Sequence, residues 1–290
     1  WTYRAYQKDI YFISDRDTCY RCFFLYKTDY SGANLQKISD LQLEDSWMDT
    51  RNNGKEMIVS GRIGKDIRYQ LFLMNLETGA YKQITHDTAA MHSDPAFSPD
   101  GKKIAFVSSE DKPAVKKNLE GKGFDAEIYE EEWQHLNLYI HDLENNKSSN
   151  LTSSLTVFDF TWNHDGSSII AAVSEKNLVD YSYMFKTLYR INASNGQSRQ
   201  IVNNPGKLTE FKVSPDGKYL AFAAGVDVND PVSGSLFITE ADNTKDFSDI
   251  KNYTKGFIGS VKSIEWQNNT TVLYSSEEGV DITLSSIGVN

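Results

Sequence analysis

Hydrophobic and polar residues alternate along most of the chain, in short runs that are separated by polar turns. The runs are rich in Ile, Val, Phe and Tyr, and their period of two residues is typical of β-strands. No apolar run approaches the roughly 20 residues that a membrane-spanning helix needs. The pattern therefore predicts an all-β chain with many short strands.

One motif, a polar turn followed by an apolar strand, recurs along the chain. In its clearest copies the turn reads Ser-Pro-Asp-Gly, in which Pro sets φ and Asp-Gly permits a positive φ. The turn glycines Gly54, Gly101, Gly166 and Gly217 are 47, 65 and 51 residues apart, which indicates an insertion in the third unit. The copies lie at 6–14, 49–60, 97–108, 162–174, 213–223 and 266–275.

A second motif follows the turn motif in register and predicts a hairpin. It consists of a strand beginning Leu-Tyr or Leu-Phe, a turn, and a strand that closes on an apolar residue with Thr or Ser nearby. Together the two motifs give four strands in each unit. The copies lie at 25–39, 71–85, 138–152, 188–202 and 236–254.

Four short strands per unit predict a β-propeller of about six four-stranded blades. The ring is either closed with six blades or part of a seven- or eight-bladed ring. A helical solenoid is excluded because the period within each unit is two, and a β-sandwich does not repeat one motif in this way. We expect a single domain over 1–290, with blades near 6–39, 47–85, 94–152, 158–202, 209–254 and 260–290.

The sixth unit stops before its outer strand. Either residues 1–5 supply that strand and close a six-bladed ring, or the ring continues beyond residue 290. The chain also begins with Trp1 instead of Met. We therefore expect a segment cut from a longer protein.

Composition and charge narrow the function classes. The net charge of −10 argues against a nucleic-acid partner, because phosphate binding needs clustered Lys and Arg. No Ser has Gly at both −2 and +2, so the Gly-x-Ser-x-Gly nucleophile elbow is missing. We expect no catalytic residues in these 290 residues.

The Ser-Pro-Asp-Gly-Lys turns, the Leu-Tyr-x-x-Asp strands and the closing Ile/Leu-Thr resemble the PD40 blades of two groups of proteins. One is the N-terminal propeller of the prolyl oligopeptidase family of serine peptidases, which includes acylaminoacyl and dipeptidyl peptidases. The other is the TolB-like propeller. The insertion at 110–142 is similar to the long third-blade hairpin of bacterial acylaminoacyl members, which favours the peptidase group.

The peptidase resemblance implies a non-catalytic propeller that limits the access of peptides to a C-terminal α/β-hydrolase domain. That hydrolase domain is expected to be absent from this chain. The TolB-like resemblance implies a periplasmic propeller with a protein partner. A periplasmic or secreted location is favoured over the cytoplasm. A propeller lyase or glycosidase is a third reading, although the sequence shows no carboxylate pair for it.

The run Tyr-Glu-Glu-Glu-Trp at 129–133 resembles the element by which dipeptidyl peptidases hold the α-ammonium group of a peptide. The match implies that Glu131 and Glu132 are amine anchors, because carboxylates accept charge-assisted hydrogen bonds from a cation. Trp133 stands outside the aromatic register of the blades and joins them as a candidate. In the dipeptidyl enzymes the element precedes a Trp-Ser-Pro-Asp-Gly turn, whereas here it precedes a Leu-Tyr strand. The alternative is a solvated acidic loop or short helix.

Cys19 and Cys22 lie between two predicted strands. Three residues of a continuous strand span about 10 Å, too far for a disulfide, but a hairpin loop permits one. Both a disulfide and two free thiols stay open. The histidines lack zinc-ligand spacing, so we expect structural or surface roles and no metal or cofactor. They are His86, His92, His135, His141 and His164.

One aromatic residue recurs near each of five turn motifs, which predicts packing between blades and not ligand stacking. The basic run 112–122 is interleaved with Glu and Gly, which predicts a solvated loop. The recurring aromatic residues are Trp47, Phe97, Trp162, Phe211 and Trp266.

Overall fold

The computed structural model divides the chain into two units. The first unit contains Trp1–Asp125 and Leu136–Asn150, and the second contains Ala126–His135 and Leu151–Asn290. Side chains are described except at 3–6 and 44–47. The residues that the structure describes are 3–6, 9–51, 54–64, 68–87, 89–229 and 234–289.

Within its described residues, the first unit has three antiparallel sheets of four strands, each built from strands that are consecutive in the chain. Sheet 1 contains β1 (Tyr3–Tyr6), β2 (Asp9–Ser14), β3 (Phe24–Asp29) and β4 (Gln36–Lys37). Sheet 2 contains β5 (Gln42–Arg51), β6 (Glu56–Arg62), β7 (Gln70–Asn75) and β8 (Tyr81–Gln83). Sheet 3 contains β9 (His92–Phe97), β10 (Lys103–Ser109), β11 (Leu136–Asp142) and β12 (Lys147–Asn150).

The second unit has two sheets of four strands and one of three strands among the described residues. Sheet 4 contains β13 (Thr156–Trp162), β14 (Ser168–Ser174), β15 (Thr187–Asn192) and β16 (Ser198–Val202). Sheet 5 contains β17 (Leu208–Val213), β18 (Tyr219–Ala224), β19 (Ser235–Glu240) and β20 (Lys251–Asn252). Sheet 6 contains β21 (Ser260–Asn268), β22 (Thr271–Glu278) and β23 (Asp281–Gly288).

These sheets confirm the prediction of an all-β chain built from repeated four-stranded blades. One of the two readings of the N-terminal residues is wrong for the part that the structure describes. Tyr3–Tyr6 pairs with β2, in the register Tyr3↔Phe12 to Tyr6↔Asp9. These residues therefore form the first strand of sheet 1, and they do not supply the outer strand of sheet 6.

The Ser-Pro-Asp-Gly turns connect the first two strands of a sheet through the same contacts. Ser98 Oγ donates a hydrogen bond to Asp100 Oδ1 at 2.6 Å, and Gly101 follows at φ +69°. Ser214 Oγ donates likewise to Asp216 Oδ1 at 2.7 Å. The hydroxyl and carboxylate thus fix the turn, and glycine supplies the left-handed residue that closes it.

The recurring aromatic residues pack between sheets, as predicted. Phe97 on β9 joins a cluster with side chains of sheet 2, and Phe211 on β17 joins one with sheet 4. Trp266 on β21 packs with side chains of sheet 5. Trp162 is also buried. The side chain of Trp47 lies outside the part that the structure describes.

The predicted loop at 112–122 is wrong for most of its length. Residues Ala114–Glu120 form helix α1, which begins directly after Pro113. Proline is favoured at a helix start, and Ala, Lys, Leu and Glu are good helix formers. Lys112 Nζ, from the residue before Pro113, also lies 2.7 Å from Glu120 Oε1 at the end of the helix.

The remaining helices of the described residues are short. Helix α2 contains Val179–Tyr183, and a 3₁₀ turn contains Phe247–Asp249. Within the described ranges, no helix has both the length and the apolar character that would let it cross a membrane.

Cys19 and Cys22 lie in the loop that connects β2 to β3, and the structure joins them as a disulfide with Cα atoms 5.2 Å apart. The backbone N–H of Cys22 donates to the carbonyl of Cys19 at 2.9 Å. This tight turn brings the two Cα atoms within the span that a disulfide requires.

We expect the purified chain to contain no titratable thiol in denaturant without reductant, and two thiols after reduction, because the chain has two cysteines. Thiol titration with an Ellman-type reagent measures this. The Cys19→Ser variant is the control, and it should show one thiol under both conditions. Two thiols in the unreduced chain would contradict the disulfide.

Candidate functional site

The acidic-aromatic run forms a turn in the second unit, after α1 and before β11. The N–H of Glu131 donates to the carbonyl of Ile128 at 3.2 Å, and Glu130 has a φ of +64°. A left-handed residue inside the run reverses the direction of the chain and ends any helix there. The run therefore forms a loop and not a short helix.

This turn lines a cavity of about 410 Å³, which we call the acidic cavity. The segment before α2 completes its wall, and Asn177 Nδ2 donates to the carbonyl of Gln134 at 2.9 Å, which holds the two segments together. The residues that line the acidic cavity are Glu127, Ile128, Tyr129, Glu130, Glu132, Trp133, Asn177, Leu178 and Val179.

The structure brings only part of the predicted set into the acidic cavity. Glu132 and Trp133 line it, whereas Glu131 is not among the lining residues. Glu130 and Glu127 take part instead. The sequence showed only a run of acidic residues, and the left-handed Glu130 decides which of their side chains face the same space.

The aromatic ring in the acidic cavity is fixed by its neighbours. Trp133 is half-buried, and its ring meets the ring of His135 edge-on with centroids 4.9 Å apart. His135 Nδ1 in turn lies 2.9 Å from Thr156 Oγ1 on β13. Because sheet 4 holds the imidazole, the indole keeps one orientation at the cavity wall.

The acidic cavity combines carboxylate acceptors with an aromatic wall. Tyr129 is 78% exposed, and Ile128 and Val179 are 58% and 54% exposed. Carboxylates accept hydrogen bonds from an ammonium group, and a tryptophan face attracts cations. The arrangement is suited to a cationic group that carries an apolar substituent.

A second cavity, in the first unit, was missed by the sequence analysis. His86 and His92 are close in the chain, and the cavity brings them together with the distant His141. The spacing of these histidines in the sequence did not indicate a shared site. Among the described residues, no group of three or more His, Cys, Asp or Glu side chains is arranged to hold a metal ion. Strand pairing in sheet 3 places His92 and His141 on the same cavity, and His86 joins them from the segment after β8.

No protein-family model matches this chain, and no curated protein matches its sequence. Solved structures do match it. An acylaminoacyl peptidase in complex with Z-Gly-Gly-Phe-chloromethyl ketone has a TM-score of 0.67 and 12% identity, over 99% of this chain and 44% of the peptidase chain. TolB from Acinetobacter baumannii has a TM-score of 0.56 and 18% identity, over 97% of this chain and 60% of the TolB chain.

An oligogalacturonate lyase in complex with manganese is also similar, with a TM-score of 0.61 and 11% identity. That match covers 98% of this chain and 74% of the lyase. This chain thus spans less than two thirds of the TolB and peptidase chains that it resembles. It has the β-propeller fold of the type found in peptidases of the prolyl oligopeptidase family and in TolB-like proteins.

Proposed function

We propose that this chain is the substrate-gating propeller of a serine peptidase of the prolyl oligopeptidase family. In this proposal it is non-catalytic, limits access to short or unfolded peptides, and positions the substrate N-terminus for a C-terminal α/β-hydrolase domain. The observation that carries the proposal is the acidic cavity, where Glu130, Glu132 and Trp133 line one space.

The chemistry of the acidic cavity supports binding of a peptide N-terminus. An α-ammonium group donates up to three hydrogen bonds, and two carboxylates supply charge-assisted acceptors. Tyr129 and Ile128 present apolar surface to the first side chain of the peptide. The fit to a free N-terminus depends on charge, so capping that amine removes the interaction.

The experiment compares Ala-Pro-Phe with its N-acetyl derivative by isothermal titration calorimetry. We expect the free peptide to bind about tenfold more tightly, because a hydrogen bond to a charged group contributes about 1.5–3 kcal/mol. Glu132→Gln and Glu130→Gln should each lower the affinity for the free peptide about tenfold and leave the acetylated peptide unaffected. Equal affinity of the two peptides would contradict the proposal.

Two matched variants sharpen this experiment. Glu131→Gln removes a carboxylate from the same run but from outside the acidic cavity, and we expect less than a twofold effect. If Glu131→Gln weakens binding and Glu130→Gln does not, the pair implied by the resemblance is correct and the cavity assignment is wrong. Glu240→Gln, at an exposed position on β19, controls for the change in net charge.

The hydrolase half of the proposal has its own test, the reading frame downstream of residue 290. A region of alternating strands and helices that carries Gly-x-Ser-x-Gly would support it. A stop codon close to residue 290 would contradict it and favour the second candidate.

The second candidate is a TolB-like propeller that binds a protein partner. It is favoured by the apolar surface of the acidic cavity, where Ile128, Tyr129 and Val179 are each more than half exposed. Apolar side chains grouped in this way are typical of protein-binding surfaces. For either candidate, the disulfide between Cys19 and Cys22 favours an oxidising compartment, such as the periplasm or the cell exterior.

A further inference from the structure

The first unit contains a cavity of about 490 Å³ between sheet 3 and the segment after β8, which we call the histidine cavity. Its floor is one face of sheet 3, because Asn137, Tyr139 and His141 alternate along β11 and so point to the same side. The segment after β8, which includes Asp87, forms the opposite wall. The volume lies within the range of small-molecule sites.

Two histidines that line this cavity are almost fully buried. His92 is 5% exposed and His141 is 2% exposed. Neither ring nitrogen of His92 has a hydrogen-bond partner, and His141 Nε2 has none either, among the residues that the structure describes. His141 Nδ1 lies 3.0 Å from Ser148 Oγ. Such buried polar atoms each cost about 1–3 kcal/mol when they are left unsatisfied.

Burial also determines the charge of these rings. It lowers the pKa of His92 from 6.5 to about 4, and the weaker attraction of Asp87 acts in the opposite direction. Burial lowers the pKa of His141 as well. Both imidazoles are therefore neutral near pH 7. Each neutral ring has one nitrogen that accepts a hydrogen bond.

The rim of the histidine cavity is acidic. Asp87, Glu110 and Asp111 line it, and Asn137 Nδ2 donates to Glu110 Oε1 at 3.1 Å. Lys117 pairs with Asp111, and its hydrogen bond lowers the pKa of that carboxyl. Two further cations act here, Arg68 on Asp111 and Lys82 on His141. The exposed Asp87 contributes negative charge at the mouth, which attracts cations.

The interior wall is aromatic. Phe106 on β10 and Tyr139 on β11 stack with ring centroids 5.5 Å apart, and the ring of His92 meets Phe106 edge-on at 5.2 Å. An apolar or aromatic body entering from the mouth would lie against these rings. The imidazole acceptors and the rim carboxylates would remain for a group that donates hydrogen bonds.

We propose that the histidine cavity binds a small organic cation, an amine carried on an aromatic or apolar body. The ammonium group is a donor only, which matches a cavity with imidazole and carboxylate acceptors. The aromatic body packs against Phe106 and Tyr139. This site lies in the first unit, and it is independent of the peptide function proposed for the acidic cavity.

The test uses three probes of the same shape and different charge: tyramine, tyrosol and 4-hydroxyphenylacetate. Isothermal titration calorimetry at pH 7 should give tyramine a Kd on the order of 0.1–1 mM, as expected for a ligand of this size. Tyrosol should bind at least about tenfold more weakly, and 4-hydroxyphenylacetate should not bind. If tyrosol or the acid binds as tightly as tyramine, or if none of the three binds, the proposal is overturned.

Variants locate the binding. Asp87→Asn changes an exposed rim residue and keeps the oxygen that accepts from the N–H of Ala89, so the chain should fold normally. We expect it to lower the affinity for tyramine about fivefold and the affinity for tyrosol by less than twofold. Asp281→Asn makes the same charge change at an exposed position in the second unit and should change neither. Equal weakening by both variants would mean that tyramine responds to net charge alone, which overturns the site.

Discussion

Replacing Phe222 with Ala is expected to lower the free energy of unfolding of the second unit by about 3–5 kcal/mol. Phe222 lies on β18, has no exposed surface, and stacks on Phe237 at a centroid distance of 5.3 Å. Phe247 packs on the same pair, at 6.4 Å from Phe222. The truncation removes the centre of a cluster shared by sheets 4 and 5, and the neighbouring strands cannot close the space without breaking their ladders.

Urea unfolding followed by far-UV circular dichroism measures this effect. The control is Phe185→Ala, which removes the same atoms from a side chain that is 50% exposed, and we expect it to cost less than about 1 kcal/mol. Because the chain has two compact units, the transition should be examined for two steps, with the change confined to one of them. Similar losses for both variants would contradict the assignment of Phe222 to the core.

The strands were predictable from the sequence because each blade contains the turn residues and the apolar alternation that determine its strands. A Ser-Pro-Asp-Gly turn brings its own hydroxyl, carboxylate and left-handed glycine, as Ser98, Asp100 and Gly101 show. The alternation of apolar residues then places one strand on either side. Pairing of neighbouring strands in chain order follows from turns this short.

The sequence left two positions open for the N-terminal residues, and this ambiguity has a physical cause. Residues 3–6 have no Asp-Gly turn of their own, and β1 is defined by its pairing with β2. The pattern of so short a strand is equally compatible with the edge of any sheet. The helix at 114–120 was not predicted, because the charged residues and Gly of the run are typical of a solvated loop, whereas its Ala, Lys, Leu and Glu residues favour a helix.

The sites were less predictable than the strands because they depend on contacts between distant residues. His92 and His141 share a cavity only because β9 and β11 both pair with β10. In the acidic cavity the lining glutamates are Glu127, Glu130 and Glu132, and Glu130 stands in the run with a left-handed backbone. The sequence identified the acidic run, and the conformation of the turn determines which of its side chains line the cavity.

Acid is expected to destabilise the first unit through His92. The pKa of His92 is about 4 in the folded chain, below its ordinary value of 6.5, chiefly because burial disfavours the charged ring. Between these two values the unfolded chain binds a proton that the folded chain does not. The contribution of the neutral His92 ring to the free energy of unfolding is therefore fully present above pH 6.5. It is lost as the pH falls towards 4, by about 3 kcal/mol in total.

The measurement is the urea midpoint of the first unit at pH 7, 6, 5 and 4. His92→Gln removes one of the two buried rings with a lowered pKa, so its midpoint should fall less over this range than that of the parent chain, with His141 responsible for a remaining decline. His164→Gln removes an exposed histidine and should keep the parent's dependence. Carboxyls such as Asp100 have pKa values lowered by hydrogen bonds from Ser hydroxyls, so their contribution disappears only at lower pH. If His92→Gln retained the full decline between pH 6.5 and 4, another group such as the buried His141 would be responsible, and the burial of the His92 ring would not be the cause of acid sensitivity.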